Sequence, residues 1–264
     1  MEVIIQPNAA SASRLVAWII GRELRCRPQL VLGLATGRTM EQVYERLIQL
    51  HRDERLDFSL CRTFNLDEYI GLPPQDKHSY RYYMDEHFFK QVNIDPRNTH
   101  LPDGTATDLA AECQHYEAQI RDCGGIDLQL LGIGRSGHIG FNEPLSALRS
   151  RTRDKALTPS TIEQNAPLFG GDASQVPRRA ITMGVGTILE SQRCVVLATG
   201  SDKAEILAKA VEGPITSMVT ASVLQLHPRC TVVVDEAAAE RLTGQEYYRW
   251  IFENEPEWRE FRDQ

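Results

Sequence analysis

Short apolar runs alternate along this chain with longer stretches whose apolar residues recur every three or four positions. Val3-Ile4-Ile5 is the first run and predicts a strand, and residues 11–26 place Leu15, Ile19 and Leu24 on one side of a helix. The pattern repeats with a strand over 30–34 and a helix over 40–51, where Met40, Val43, Leu47 and Leu50 share a face. Further strands are expected at 62–66 (ended by Asp67), 126–131, 180–183, 194–198 and 230–234. Further helices are expected at 79–89, 108–123, 203–211 and 245–261. Strands separated by helices imply right-handed crossovers and a parallel sheet. Near-continuous apolar strands such as Val195-Val196-Leu197 fit a sheet buried on both faces. The predicted fold class is therefore α/β, a Rossmann-like parallel sheet with helices on both faces. No repeat or linker divides the chain, so 1–264 reads as a single domain. The polar stretch 149–179, with Pro159, Pro167, Pro177 and Gly170-Gly171, breaks the alternation and reads as a lid segment or a surface loop.

The charge balance narrows the partners. A net charge of −7 gives no global field for nucleic acid or an anionic membrane, although a small anion can still bind locally. No apolar run approaches the roughly 18 residues of a membrane-crossing helix, and the first residues lack the basic and apolar regions of a signal peptide. The cysteines at 26, 61, 113, 123, 194 and 230 show no CxxC or zinc spacing. They read as unpaired thiols of a reducing compartment, the cytoplasm.

Four loops that follow strands carry unusual chemistry, and in open α/β sheets ligands bind beyond the carboxyl ends of the strands. Ala35-Thr36-Gly37-Arg38-Thr39 would offer hydroxyls and free N–H groups to an anion, and a plain tight turn with a threonine cap explains the same string. It lacks the spacing of a Walker A loop. Thr199-Gly200-Ser201-Asp202-Lys203 places a lysine at a helix start, which the helix dipole disfavours unless an anion is shared, and a solvated lysine is the alternative. Asp67-Glu68 offers a carboxylate base at a strand end, and a helix cap or a solvated acidic turn explains the same pair. Gly132-Ile133-Gly134-Arg135-Ser136-Gly137-His138-Ile139-Gly140-Phe141-Asn142-Glu143-Pro144 contains a literal GxGxxG. Gly140 and Pro144 would break the long helix that a dinucleotide fingerprint opens. His138 and Glu143 are better read as an acid–base pair. No ligand set such as HExxH accompanies them, so no metal is assigned.

Together these loops resemble the glucosamine/galactosamine-6-phosphate isomerase family. The carrying strings are Gly33-Leu34-Ala35-Thr36-Gly37, Phe64-Asn65-Leu66-Asp67-Glu68-Tyr69-Ile70-Gly71-Leu72, Gly137-His138 through Pro144, Ser150-Arg151-Thr152-Arg153, Gln175-Val176-Pro177 and Ser222-Val223-Leu224-Gln225-Leu226-His227-Pro228. The resemblance implies aldose–ketose isomerisation and deamination of glucosamine 6-phosphate to fructose 6-phosphate and ammonia, with no cofactor. It implies that His138 helps open the sugar ring and Glu143 orients it. Asp67 would carry the C2 proton to C1, and Thr36, Gly37, Thr39 and Lys203 would hold the phosphate. Ser146, Arg153 and Lys155 match the positions at which some members, which are hexamers, bind an activating N-acetylglucosamine 6-phosphate. A homo-oligomer is thus left open.

Three departures stand out. Arg38 and Met40 replace the family's small residue and proline in the first loop, and Ser136 stands where an acid or amide assists the histidine. Pro167 stands where the family's lid arginine reaches the phosphate. The first and third compensate if Arg38 supplies the guanidinium that the lid has lost. The epimer preferred at C4 stays open. So do two other readings on the same fold: a 6-phosphogluconolactonase-type hydrolase, and a sugar-phosphate sensor that has lost turnover.

Overall fold

The computed structural model describes residues 1–262. Side-chain caps start several of the helices. Asn8 Oδ1 accepts from Ser11 N at 2.9 Å and starts α1 (Ala9–Cys26), which follows β1 (Glu2–Gln6). β2 (Val31–Leu34) leads into α2 (Arg38–Glu54), whose Met40, Val43, Leu47 and Leu50 are buried as the spacing predicts. β3 (Arg62–Asn65) is followed by β4 (Asp67–Tyr69), α3 (Tyr80–His87), β5 (Thr99–His100) and α4 (Leu109–Asp122). Next come β6 (Leu128–Gly132), β7 (Arg153–Ala156), α5 (Pro159–Asn165), β8 (Arg179–Thr182) and α6 (Val185–Leu189). β9 (Arg193–Ala198), α7 (Ala204–Val211), β10 (Cys230–Asp235), α8 (Glu236–Ala239), α9 (Gln245–Asn254) and α10 (Arg259–Arg262) complete the order.

Seven strands form the main sheet in the order β1-β10-β9-β6-β2-β3-β5, with every neighbouring pair parallel. Successive residues of a strand face opposite sides. Every residue of β2, β9 and β10 is nevertheless buried, so both faces of the central sheet are covered, as the apolar runs predict.

The sequence reading misses a second sheet, the antiparallel set β4-β8-β7. The strand expected over 62–66 stops at Asn65, and Asp67 opens a new strand rather than ending the old one. Leu66 belongs to both surroundings: its N–H donates to Leu34 O at 3.0 Å and its carbonyl accepts from Met183 N at 2.6 Å. The strand expected near 180–183 pairs in this small sheet and not in the parallel one. The excursion 149–179 is likewise not all lid. Its first part is β7, and only the remainder, with α5 and two short 3₁₀ turns, folds over the site. Phe169, Ala166, Leu157 and Val176 of that remainder pack on Tyr69, Tyr80 and Phe141 in a small second core.

Two helix expectations are corrected as well. The helix expected over 245–261 breaks at Pro256, because proline has no N–H to donate and forces Glu255 into an extended conformation (ψ 131°). Lys203 lies in a 3₁₀ turn just ahead of α7 rather than within it.

Candidate active site

Because the sheet is parallel, β9, β6, β2 and β3 stand side by side with their carboxyl ends at one edge. The loops leaving them line a single cleft of about 340 Å³, beside the point where β2 and β6 meet and the strand order reverses. Thr36, Gly37, Arg38, Thr39, Asp67, His138 and Lys203 all line it. Ser136 and Glu143 stand behind the histidine.

One end of the cleft is built for an anion. Gly37, at φ 118°, makes the turn into α2, and no side chain caps the N–H groups of that 17-residue helix. The turn is held from outside. The Tyr83 hydroxyl donates to Gly37 O at 2.9 Å, and the Tyr44 hydroxyl donates to Ala35 O. Opposite, Gly200 (φ 91°) turns the chain toward Lys203. Its N–H donates to Asp235 Oδ1 at 3.0 Å, and the same carboxylate caps α8 through Ala238 N at 2.8 Å. Burial lowers the pKa of the Lys203 ammonium, and the nearby Arg135 adds to this against the opposing effect of Asp202. Arg38 is exposed at the rim and forms no ion pair among the described residues.

At the other end, the two adjacent acids divide the roles that the sequence left open. Alternation along β4 sends their side chains to opposite faces. The Glu68 carboxylate accepts from Tyr69 N, Tyr80 N and Arg81 N at 2.8–2.9 Å, holding the start of α3. Asp67 faces the cleft. The residue is 6% exposed, and burial together with the neighbouring Glu68 charge pushes its carboxyl pKa up to about 8, with no hydrogen-bond donor among the described residues to offset them.

His138 Nδ1 lies 2.8 Å from Ser136 Oγ and 3.2 Å from Glu143 Oε2. Glu143 Oε1 accepts from Thr158 N at 3.3 Å, from the Thr158 hydroxyl at 3.1 Å and from the Thr161 hydroxyl. Burial raises the Glu143 pKa, but hydrogen bonds from His138, Thr161 and the Thr158 N–H outweigh it and bring the carboxyl down to about 2. An ionised Glu143 favours the proton on Nδ1 and leaves Nε2 as the nitrogen that can exchange protons. Nε2 fits only because position 134 is glycine: a Cβ there would lie 2.0 Å from it. Ser136 shares Nδ1 with the acid. A serine nucleophile relay needs the serine on the other nitrogen, so Ser136 is a partner of the imidazole and not a nucleophile.

Three expected residues lie outside the cleft. Ser146 and Arg153 flank Asn142 and Glu143. Ser146 Oγ and Arg153 Nη2 are buried without a partner among the described residues, while Arg153 Nη1 donates to Asn142 Oδ1 at 2.9 Å. Lys155 sits on β7 opposite Ala180, half-buried. Pro167 does not line the cleft; its neighbours Asn165 and Leu168 do, with Thr161 and Gln164.

Sequence reasoning missed Arg135, which lines the cleft, and Asp235, which fixes the lysine turn. It also missed Gly140, where a Cβ would lie 2.9 Å from Thr182 Oγ1 and 3.4 Å from Asp67 Oδ2. For Arg135 a signal existed: a guanidinium in the middle of a glycine string has little else to do. No group of three or more metal-ligating side chains is found among the described residues. No helix among them is long and apolar enough to cross a membrane.

The family model described as glucosamine-6-phosphate isomerases/6-phosphogluconolactonase matches residues 6–233. The chain belongs to this family. It is similar to the glucosamine-6-phosphate deaminase of Cellvibrio japonicus, 49% identical over 251 residues and 95% of each chain. The deaminase of Streptomyces coelicolor is 47% identical over 258 residues, covering 98% of this chain and 99% of that one. Among solved structures, a monomeric glucosamine-6-phosphate deaminase superposes with a TM-score of 0.89 at 43% identity, over 91% of this chain and all of that one. A 6-phosphogluconolactonase from Trypanosoma cruzi gives 0.71 at 19% identity, over 92% and 97% of the two chains, a likeness of fold alone.

Proposed function

We infer that this chain converts glucosamine 6-phosphate and water into fructose 6-phosphate and ammonia. The observation that carries this reading is the pairing, within one cleft, of an anion-binding end with a buried carboxyl of raised pKa. Thr36, Gly37, Thr39 and Lys203 hold the phosphate, and its binding energy sets the sugar against Asp67. Arg38 adds a guanidinium at the rim. His138 Nε2 exchanges a proton with the ring oxygen as the ring opens, and Glu143 and Ser136 hold the imidazole by Nδ1. Asp67 takes the proton from C2 and returns it to C1 through an enolamine. The resulting C2 imine adds water and expels ammonia. Identities of 47–49% to deaminases across nearly the whole chain favour this reaction over lactone hydrolysis.

The deciding experiment is ammonia release from glucosamine 6-phosphate in deuterated water. Label at C1 of fructose 6-phosphate is expected, and none should form with Asp67→Asn. Full turnover by that variant would remove Asp67 as the base. Arg38→Gly is expected to raise KM several-fold with kcat little changed; an unaltered KM would assign the phosphate to other groups.

Ser146 Oγ and Arg153 Nη2, unpartnered among the described residues, support an effector site for N-acetylglucosamine 6-phosphate at Ser146, Arg153 and Lys155. Arg153 reaches the site through Asn142, whose amide donates to Ile139 O at 2.8 Å and Met183 O at 2.9 Å. Activation by that ligand, with light scattering for a homo-oligomer, tests this. Six unpaired cysteines suit a reducing cytoplasm.

A further inference from the structure

The lid side chains that face the cleft, Thr161, Gln164, Asn165 and Leu168, carry no charge. A phosphate dianion held there must therefore find its countercharge on the strand-end loops. Arg38 and Lys203 supply two cations. A third is present: Arg135, in the turn that leaves β6, lines the same cleft, close enough to Lys203 for its charge to act on that ammonium. Its side chain is exposed and forms no ion pair among the described residues. Its backbone is well held. Gly134 N donates to His138 O and Gly137 N to Gly134 O, both at 2.9 Å, closing a tight turn around it. Arg135 N also donates to Gln164 Oε1 at 3.4 Å, tying the turn to α5. The turn that carries Arg135 is thus the turn that carries His138.

We propose that Arg135 is a third cation of the phosphate cradle, and that phosphate drawn to it steadies the turn that positions His138. The inference rests on the sugar-phosphate reading above and deepens it. Burial is the main cause of the lowered Lys203 pKa, and the charge of Arg135, which lines the cleft beside it, lowers it further. A dianion between the two cations offsets their repulsion, and a guanidinium fork can bind two of its oxygens. Arg135 acts on the chemistry only through the phosphate and the turn, so it is a binding and positioning residue rather than a catalytic one.

The test compares Arg135→Gln and Arg135→Lys with the unaltered enzyme. Calorimetric titration with inorganic phosphate and with fructose 6-phosphate needs no turnover. Affinity for both is expected to fall roughly tenfold or more in Arg135→Gln and to recover in part in Arg135→Lys. In steady state, Arg135→Gln is expected to raise KM for glucosamine 6-phosphate about tenfold and to lower kcat several-fold. The melting temperature of Arg135→Gln without ligand is expected to match that of the unaltered enzyme. Unchanged phosphate and fructose 6-phosphate binding in Arg135→Gln overturns the proposal. A melting temperature lowered by several degrees without ligand overturns the phosphate-linked role and makes the residue structural. If the unaltered enzyme releases no ammonia, the deaminase reading fails, while the titrations still decide Arg135. Should Arg135→Gln fold poorly, the charge-preserving Arg135→Lys carries the comparison: affinity fully equal to that of the unaltered enzyme leaves only charge, and not the guanidinium fork, at work.

Discussion

Asp67 and Glu143 are both buried carboxyls, and their surroundings drive them in opposite directions. Asp67 has no donor among the described residues and is pushed up to about 8; Glu143 is surrounded by donors and drawn down to about 2. Asp67 is a base only when ionised. kcat/KM is therefore expected to rise with pH along a limb near 8, and the limb in kcat should lie lower, because the substrate ammonium beside Asp67 favours its charge. A kcat profile flat from pH 5 to 9 would contradict this. The same shift bears on stability. Between the ordinary Asp value and about 8 the folded state keeps a proton that the unfolded chain has released, so this group's effect is to lower stability as pH rises through that window. Asp67→Asn is expected to unfold later than the unaltered protein at pH 9, by on the order of 2 kcal/mol, while losing turnover. Glu143 works the other way. It stabilises the fold above its ordinary value of 4.5, and that contribution is lost as pH falls toward 2. Glu143→Gln is expected to lower kcat by about 10²–10⁴ with KM changed only a few-fold, since it frees the imidazole without touching the phosphate. A loss confined to KM would place Glu143 in binding instead.

At the scale of elements, the decisive feature is the jump from one sheet to the other at Leu66. Strand β4 exists because β8 offers it an antiparallel partner, itself backed by β7, and without β8 Asp67 would sit in a loose turn. The remaining lid segment is held over the cleft by aromatic packing. The Phe169 ring stacks on His78 at 4.6 Å and meets Tyr69 edge-on at 5.7 Å, while Asn165 Nδ2 donates to the Tyr69 hydroxyl at 2.9 Å. Phe169→Ala is expected to cost about 3–5 kcal/mol of local packing. Hydrogen exchange should then quicken over 159–176 with the main sheet unchanged; uniform quickening would mean that the small core is not a separate unit. Most helices were legible in the sequence, because capping residues and apolar spacing are local. The small sheet was not: β4 and β7 are short, carry charged residues and owe their strand form to partners distant in the chain.

The whole molecule brings distant turns together by alignment. Parallel strands all end at one edge, so loops near residues 37, 67, 135 and 200 meet although the chain separates them widely. The same packing conceals most thiols. Cys61, Cys113, Cys194 and Cys230 are buried, with burial raising each thiol pKa, whereas Cys26 is exposed. A thiol reagent is expected to modify Cys26 at once, the partly covered Cys123 slowly, and the other four only on unfolding. Fast reaction of four or more cysteines in the native protein would contradict the packing.

Read alone, the chain determined its α/β class, the order of its main elements, and the residue types able to bind a phosphate or move a proton. These depend on spacing and composition within a few residues, which local propensity and burial translate directly into helix and strand. Tertiary structure alone decided which of two neighbouring acids faces the cleft and which caps a helix. It also decided that Ser136 and Glu143 share one imidazole nitrogen, and that Arg135 and Lys203 line one cleft. Those outcomes depend on which groups distant segments bring within a few ångströms, and on the burial that sets their charges.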